Sequence, residues 1–284
     1  MDLLTAVIFG IVEGITEFLP ISSTGHLILT ANLLKTPQTE FLKSFEIAIQ
    51  LGAILSVVVL YWKSFLIKIS VLKKITVAFI PTAIIGLLLY KVLKSFLLGN
   101  SSIVLWSLLL GGIFIIIFEI FYRQTGALQG RRPEPSAHGL AKASPRPSSN
   151  GEESAIEDID SISYLKAFLI GIFQSIAIIP GVSRSAATII GGLILGLKRK
   201  TIVEFSFLLA VPTMLAATVF DLTKSAGSFN SGQLVYLAVG FVVSFITALF
   251  AIKFLLYFIK SHNFIPFAIY RIILALFLLI FIFR

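Results

Sequence analysis

The chain has 284 residues, of which 57% are hydrophobic and 13% charged, and its mean hydropathy is +0.99. Soluble enzymes carry about 25% charged residues and disordered chains have low hydrophobicity, so the composition excludes both classes for most of the chain. The formal charge of +9, in a chain this apolar, predicts cytoplasmic loops and contacts with anionic membrane lipid, and we expect no nucleic-acid partner.

The apolar runs are long and continuous, which favours membrane helices over the alternating strands of a membrane barrel. The first run lacks a positive N-terminal region and contains Glu13 and Glu17, so we do not interpret it as a secretory signal. The absence of cysteine excludes thiolate catalysis, cysteine-bound metals and disulfides. In chain order, the predicted apolar segments are 3–21, 26–34, 41–61, 75–98, 101–122, 164–180, 186–197, 202–221, 233–258 and 263–283.

One polar stretch, at 123–163, interrupts these segments. It combines four prolines with serine, glycine and charge, and cannot bury enough apolar surface to offset its chain entropy. It therefore predicts a disordered cytoplasmic linker without a catalytic role. The linker separates a first half at 1–122 from a second half at 164–284.

The positive charges predict which loops face the cytoplasm. Lysines surround the connection at 61–75, so this connection and, two spans later, the linker are placed in the cytoplasm. The three cations at 198–200 stay on the same side only if the segment 164–197 enters the membrane and turns back. The charge pattern therefore predicts a re-entrant helical hairpin at 164–197.

A similar pattern occurs near the start of the chain. Gly-Ile-Val-Glu at 10–13 resembles Gly-Ile-Phe-Gln at 171–174, and each is followed by a proline and clustered hydroxyls. Three long apolar runs follow each hairpin, so the two hairpins would enter from opposite sides. The predicted fold is an all-α polytopic membrane protein with about six transmembrane helices and two re-entrant helical hairpins in an inverted repeat, which places sites near the bilayer midplane. Chance similarity of two apolar segments is the alternative.

The first polar cluster, at 13–26, begins with two carboxylates in apolar surroundings. Glu13 and Glu17 are four residues apart and share a helical face, where a divalent cation, an arginine or shared protons must neutralise them. Gly10 and Gly14 have the spacing that lets another helix approach closely. Glutamates at the membrane interface are the alternative interpretation.

Hydroxyl groups and a histidine follow these carboxylates. Pro20 ends the first helix, and Ser22, Ser23 and Thr24 can cap the next one, with backbone amides available to an anion. His26 can act as a base, an acid or a ligand near neutral pH. For the hydroxyls alone, a plain helix cap is the favoured alternative.

The second cluster, at 180–188, places one arginine between two apolar stretches. Arg184 is flanked by Ser183, Ser185 and Thr188 at the start of a helix. A guanidinium, hydroxyls and helix N-terminal amides together suit a phosphate or diphosphate. An arginine that extends to the membrane interface is the alternative.

Four polar residues are weaker candidates for the same site. Glu46 and Gln50 share a helical face in the 41–61 run, and Glu204 lies near the start of the 202–221 run. Gln174 belongs to the repeated hairpin pattern. Lining the site or packing against the hairpins would equally explain these residues.

These clusters resemble the two signatures of the undecaprenyl-diphosphatase family, the bacterial bacitracin-resistance type. The stretch at 13–26 resembles the N-terminal signature and 180–188 the second one, and the stretches 45–52 and 204–212 are also similar to that family. The resemblance covers nearly the whole chain except the linker, which is longer and richer in proline and serine than the family leads us to expect.

The resemblance implies an enzyme that hydrolyses undecaprenyl diphosphate to undecaprenyl phosphate and inorganic phosphate. That reaction recycles the lipid carrier for peptidoglycan synthesis and gives bacitracin tolerance. The resemblance further implies Mg²⁺ or Ca²⁺ as cofactor, and a place in the bacterial cytoplasmic (inner) membrane with the site open to the outer face. Its implied partners are the polyprenyl diphosphate and membrane lipid, and a homodimer is left open.

The resemblance also implies roles for the candidate residues. Glu13 and Glu17 would bind the metal, and Arg184 would bind the diphosphate. Ser23 or a water molecule would be the nucleophile, and His26 the base or the nucleophile itself. Phosphate oxygens would be bound by the remaining hydroxyls, Ser22, Thr24, Ser183, Ser185 and Thr188.

Two alternatives belong to other classes. A transporter or flippase of polyprenyl phosphate would share the inverted repeat and its midplane site. A membrane phosphatase of the phosphatidic acid phosphatase superfamily is disfavoured, because Ile190 stands about where that superfamily needs a histidine.

Overall fold

The computed structural model describes residues 1–37, 39–63, 68–89, 100–130, 158–225 and 231–282. These residues form ten α-helices and two short 3₁₀ helices, and no β-strand occurs among them, which confirms the all-α prediction. The α-helices are α1 Leu3–Thr16, α2 Ser23–Leu33, α3 Glu40–Leu60, α4 Ile69–Leu88, α5 Ser101–Gly130, α6 Tyr164–Ser175, α7 Arg184–Ile194, α8 Arg199–Ser225, α9 Ser231–Phe258 and α10 Ile265–Ile282.

Helix length separates spans from re-entrant helices. Within the described residues, α3, α4, α5, α8 and α9 are long and apolar enough to cross a membrane. The 18 residues of α10 rise about 27 Å, close to the hydrocarbon thickness of about 30 Å. By contrast, α1, α2, α6 and α7 have 14, 11, 12 and 11 residues, too few to cross. The chain is an integral membrane protein, and its short helices lie where both hairpins were predicted.

The start of α4 differs from the sequence prediction. The helix begins at Ile69, six residues before the predicted start of the 75–98 segment, because Lys73 and Lys74 obscured its first two turns. Lys74 is buried and donates to the backbone carbonyl of Asp160. The predicted end of that segment, at 90–98, lies outside the described residues.

The linker boundaries also differ from the prediction. Helix α5 continues to Gly130 instead of ending at 122, and residues 131–157 lie outside the described residues. The last part of the predicted linker forms a 3₁₀ helix at Ile159–Ser161. Asp160 accepts hydrogen bonds from Ser70 and Lys68 at the start of α4, and the Ser70 bond, with Lys68, holds the pKa of the Asp160 carboxyl below its ordinary value. This turn therefore fixes the entry into α6.

The helix contacts repeat between the two halves. Helix α1 packs on α9, α6 packs on α4, and α3 packs on α8. Each hairpin thus packs against the middle one of the three spans in the other half of the chain, as expected for two copies related by a twofold axis. Because α3, α4 and α5 cross the membrane three times, the second copy starts from the opposite face, in agreement with an inverted repeat.

The ends of α2 and α7 show the same repeat at the level of single hydrogen bonds. The residues that follow, Lys35 and Gly196, both have positive φ, at 51° and 82°. The amides of Thr36 and Leu197 each donate to the backbone carbonyl five residues earlier in the helix, at 2.9 and 3.0 Å. This is the Schellman arrangement, in which a left-handed residue ends a helix. The predicted repeat therefore extends to the backbone geometry.

Small residues allow the hairpins to pack closely. A Cβ added at Gly14 would lie 2.5 Å from the carbonyl oxygen of Ser244 and 2.9 Å from the amide of Ala248 in α9. In the second half, a Cβ at Gly171 would collide with the backbone of Ala78 in α4. The close approach predicted from glycine spacing in α1 is confirmed, and α9 is the partner helix.

We expect Gly14→Ala to lower the Tm of the purified protein in detergent. Its methyl group would overlap the α9 backbone, and such overpacking costs about 1–3 kcal/mol. Gly86→Ala is the matched control, because a Cβ there meets only Ile178 Cδ1 at 3.9 Å and alanine favours a helix over glycine by about 1 kcal/mol. Equal Tm values for both variants would contradict the α1–α9 contact.

Candidate functional site

The turns of the two hairpins meet and bring the two sequence clusters together. Ser185 Oγ, on α7, donates 2.8 Å to the carbonyl of Leu19 in the first turn. Arg184 reaches Glu17, which directly follows α1. A cavity at this junction is lined by Glu17, Ser22, Ser23, Thr24, Gln50, Ala177, Val182, Ser183, Arg184 and Met214.

Arg184 and Glu17 form the central ion pair of the cavity. Arg184 Nη2 and Nε lie 3.1 and 3.4 Å from Glu17 Oε1, and Nη1 donates 2.9 Å to the carbonyl of Ser206 on α8. The side chains are only 12% and 6% exposed. Removing one partner of such a pair would leave an uncompensated buried charge, so the pair holds the two hairpin turns together.

Ser23 completes a chain of three polar groups. Its hydroxyl donates 2.7 Å to Glu17 Oε2, the oxygen that Arg184 does not use. Ser23 is the first residue of α2, where helix N-terminal amides favour an anion. The arrangement offers a hydroxyl, a carboxylate that can accept its proton, and a guanidinium that can bind phosphate oxygens.

Ser22 departs from its predicted role as a cap. It precedes α2 with φ 71° and ψ 99°, and its side chain makes no capping hydrogen bond. This backbone conformation is rare for a residue with a Cβ and costs about 1–3 kcal/mol. Ser183, at the matching position before α7, has ordinary φ and accepts a bond from the amide of Ala186 at 3.2 Å. The first turn alone carries strain, and the Ser22 side chain lines the cavity.

His26 lies beside the cavity but is absent from its lining. Its Nδ1 is 2.7 Å from the carbonyl of Ser22, and its Nε2 is 2.7 Å from Tyr270 Oη, with the two rings stacked. Because a carbonyl only accepts, Nδ1 carries the proton, and Nε2 of the neutral ring accepts from Tyr270. His26 thus stabilises the strained backbone of Ser22 by donating to its carbonyl.

Glu13 is fully buried, one helical turn before Glu17. Among the described residues, neither oxygen of its carboxylate has a hydrogen-bond partner. No cluster of three or more His, Cys, Asp or Glu residues suited to a metal occurs in the described ranges. A buried carboxylate with two unused oxygens fits a cation that takes only one or two protein carboxylates and completes its shell with phosphate and water, as Mg²⁺ does.

Two predicted phosphate ligands lie behind the cavity instead of lining it. Ser185 and Thr188 are fully buried, and Thr188 Oγ1 lies 2.9 Å from the Arg184 carbonyl and within hydrogen-bonding distance of Ser206 Oγ. These hydroxyls connect α7 to the first turn and to α8. They hold the guanidinium of Arg184 in place through its own backbone.

The weaker candidates divide in the same way. Gln50 lines the cavity, whereas Glu46 and Glu204 are partly buried outside its lining. Gln174 Nε2 donates to Thr82 at 2.9 Å and to Thr213 at 3.0 Å, which joins α6 to α4 and α8. Gln174 therefore has a packing contact at the position that Glu13 has in the first hairpin.

Sequence reasoning missed Tyr270 and Arg271. Tyr270 bonds His26, and Arg271 donates to carbonyls in both hairpin turns. The available signal was a tyrosine and an arginine side by side in the last apolar run, since a cation inside a membrane segment points to a specific partner.

Comparison with known proteins finds similarity over nearly the whole chain. The model of the family "Bacitracin resistance protein BacA" matches residues 6–277. The undecaprenyl-diphosphatase of Sulfurihydrogenibium sp. is 52% identical over 276 residues, which are 97% of this chain and 98% of the relative. That of Aquifex aeolicus is 52% identical over 271 residues, 95% of each chain. That of Persephonella marina is 48% identical over 282 residues, 99% and 100% of the two chains.

Proposed function

The chain belongs to the bacitracin resistance protein BacA family, and from this premise we propose that it hydrolyses undecaprenyl diphosphate to undecaprenyl phosphate and inorganic phosphate. The relatives named undecaprenyl-diphosphatase match it over nearly their full length. The observation that carries the proposal is the hydrogen-bonded series Arg184–Glu17–Ser23 in the cavity between the hairpins. The product is the lipid carrier of peptidoglycan synthesis, and its supply gives bacitracin tolerance.

The first step is phosphoryl transfer to Ser23. Glu17 Oε2 accepts the hydroxyl proton while Oγ forms a bond to the terminal phosphorus, and the bond from that phosphorus to the bridging oxygen breaks. Undecaprenyl phosphate leaves with the electron pair. Arg184 and the N-terminal amides of α2 stabilise the charge on the transferring group.

The second step is hydrolysis of the phosphoserine. Water attacks phosphorus, Glu17 returns its proton to Ser23 Oγ, and both protons of the water leave with inorganic phosphate. The alternative is direct attack by a water held at Glu17 in place of the Ser23 hydroxyl. We assign the base to Glu17 and not to His26, because His26 Nε2 already accepts from Tyr270.

The cofactor is Mg²⁺ or Ca²⁺ in this proposal. Glu13, whose two oxygens are unused, would hold the cation, whereas the oxygens of Glu17, the second predicted ligand, are engaged by Arg184 and Ser23. When bound, the cation neutralises non-bridging phosphate oxygens. Ser22, Thr24 and Ser183, whose side chains line the cavity, bind the remaining oxygens.

The polyprenyl tail occupies a second cavity. That cavity shares Val182 with the polar one, which places an apolar path directly beside the diphosphate. Its lining is Gly111, Phe114, Ile115, Phe173, Ile176, Val182, Ala186, Ala187, Ile190, Ile194 and Arg271.

The enzyme works in the bacterial cytoplasmic membrane, with its polar cavity open to the outer face. The lysines at the start of α4 and at 198–200 support cytoplasmic placement of those loops. The first hairpin, which carries Ser23 and Glu17, then enters from outside.

The reaction is tested by phosphate release from undecaprenyl diphosphate by the purified protein in detergent. We expect Glu17→Gln and Arg184→Ala to lower kcat by about 10²–10⁴-fold, because the proton acceptor or the phosphate-binding charge is lost. Glu119→Gln is the matched control, because Glu119 is 2% exposed and pairs with Arg199 away from the cavity. Binding without phosphate release by the folded wild-type protein would favour a transporter.

The metal site is tested by Tm as well as by activity. Cation binding to the folded state raises Tm, so Mg²⁺ or Ca²⁺ should raise the Tm of the wild type relative to EDTA and restore phosphate release. We expect Glu13→Gln to abolish the rise in Tm, and Glu119→Gln to keep it. A full rise in the Glu13 variant would remove Glu13 from the metal site.

The topology is tested by cysteine labelling, for which the chain has no background because it contains no cysteine. Ser102→Cys, at the start of α5, should react with a membrane-impermeant maleimide added outside the cell. Ser261→Cys, between α9 and α10, should react only after the inner face is exposed. The reverse pattern would place the cavity on the cytoplasmic face.

A further inference from the structure

Arg271 is a nearly completely buried charge in α10, with 1% of its surface exposed. Within the described part of the chain, its hydrogen-bond acceptors are all backbone carbonyls. They are the carbonyls of Ser107 at 3.0 Å, Gly181 at 3.1 Å, Leu108 at 3.4 Å and Pro20 at 3.5 Å. Four of the five N–H donors of the guanidinium are thereby used.

Two of these carbonyls lie in the hairpin turns. Pro20 is two residues before Ser22, and Gly181 is two residues before Ser183, the residues that precede α2 and α7. One guanidinium therefore joins both turns to each other and to α5. Ser185 Oγ also contacts both turns, at the carbonyl of Leu19 and at Ser183 Oγ, but it belongs to the second hairpin itself, whereas Arg271 reaches the turns from α10.

The surroundings of Arg271 are shaped to admit it. A Cβ at Gly111 would collide with Nη2 and lie 3.0 Å from Cζ of the guanidinium. Gly181 has φ 89°, and a Cβ there would lie 2.7 Å from the carbonyl of Val104 on α5. The glycine at 111 makes room for the guanidinium, and the glycine at 181 lets the second turn lie against α5, where Arg271 reaches its carbonyl.

The location of these bonds connects Arg271 to the reacting groups. The first turn carries Ser23 and Glu17, and the second carries Arg184. These groups are aligned only if the turns keep their separation. An apolar side chain would fill the same volume without the cost of burying a charge, so burial alone does not account for an arginine here.

We propose that Arg271 is a positioning residue of the phosphatase reaction, which sets the distance between the nucleophile turn and the phosphate-binding turn. The inference rests on the proposed function. Arg271 acts through backbone carbonyls and does not need to touch the phosphate. A shift of about 1 Å in such a site costs about a hundredfold in rate.

The experiment measures kcat, KM and Tm for Arg271→Met and Arg271→Lys beside the wild type. We expect Arg271→Met to lower kcat about a hundredfold with KM near the wild-type value, because the phosphate-binding groups remain and methionine keeps an apolar side chain beside the tail cavity that Arg271 borders. Arg271→Lys should recover part of kcat, since its ammonium can still donate to some of the carbonyls. Glu119→Gln is the control for loss of a buried ionic contact to α5, and should lower Tm without lowering kcat.

A second variant covers the case in which Arg271→Met does not fold. Gly111→Ala should displace the guanidinium and lower kcat, whereas Gly86→Ala should not. Normal kcat in folded Arg271→Met and in Gly111→Ala, or an equal loss of kcat in Glu119→Gln, would overturn the positioning role. Absence of phosphate release by the wild type would instead contradict the proposed function.

Discussion

The structure depends on the pairing of a buried arginine with a buried carboxylate across two re-entrant hairpins. Neither Arg184 nor Glu17 could remain charged in an apolar interior alone, and their partner atoms come from different halves of the chain. The pair therefore forms only when both hairpins are in place. The same requirement assembles the cavity, because Ser23 uses the second oxygen of Glu17. Folding and assembly of the site are one event.

Packing between the halves fixes the positions of the two hairpins and therefore the geometry of this ion pair. The hairpins do not pack mainly within their own half, since α1 lies on α9 and α6 lies on α4. Glycines bring these helices to backbone distance, and Thr247 and Thr82 each donate to the matching carbonyls of Gly10 and Gly171, at 3.3 and 3.1 Å. Helices that approach this closely have few alternative positions. Glycines and threonines that take no part in the reaction thus give the site the rigidity that the reaction needs.

Much of this could be predicted from the sequence, because charge and hydropathy act locally. The hairpins, the spans and the presence of Glu17, Ser23 and Arg184 in one site follow from apolar runs, loop charges and motif resemblance. The start of α4 could not be predicted, since Lys74 is satisfied by a carbonyl 86 residues away. The orientation of His26 depends on Tyr270 in α10, and the contacts of Arg271 depend on carbonyls in α5 and in both hairpin turns; no local pattern reveals these partners. Long-range hydrogen bonds account for most of the differences between the sequence prediction and the structure.

Gln174, the neutral counterpart of Glu13 in the second hairpin, makes the two halves of the molecule chemically different. Two copies of one backbone in opposite orientations would present the same groups to both faces of the membrane. Gln174 instead donates through its amide nitrogen to Thr82 and Thr213 and leaves only a neutral amide oxygen without a partner, so only the first hairpin keeps a carboxylate with unused oxygens. A symmetric scaffold thereby holds an asymmetric set of ligands, so chemistry at its centre can be confined to one leaflet.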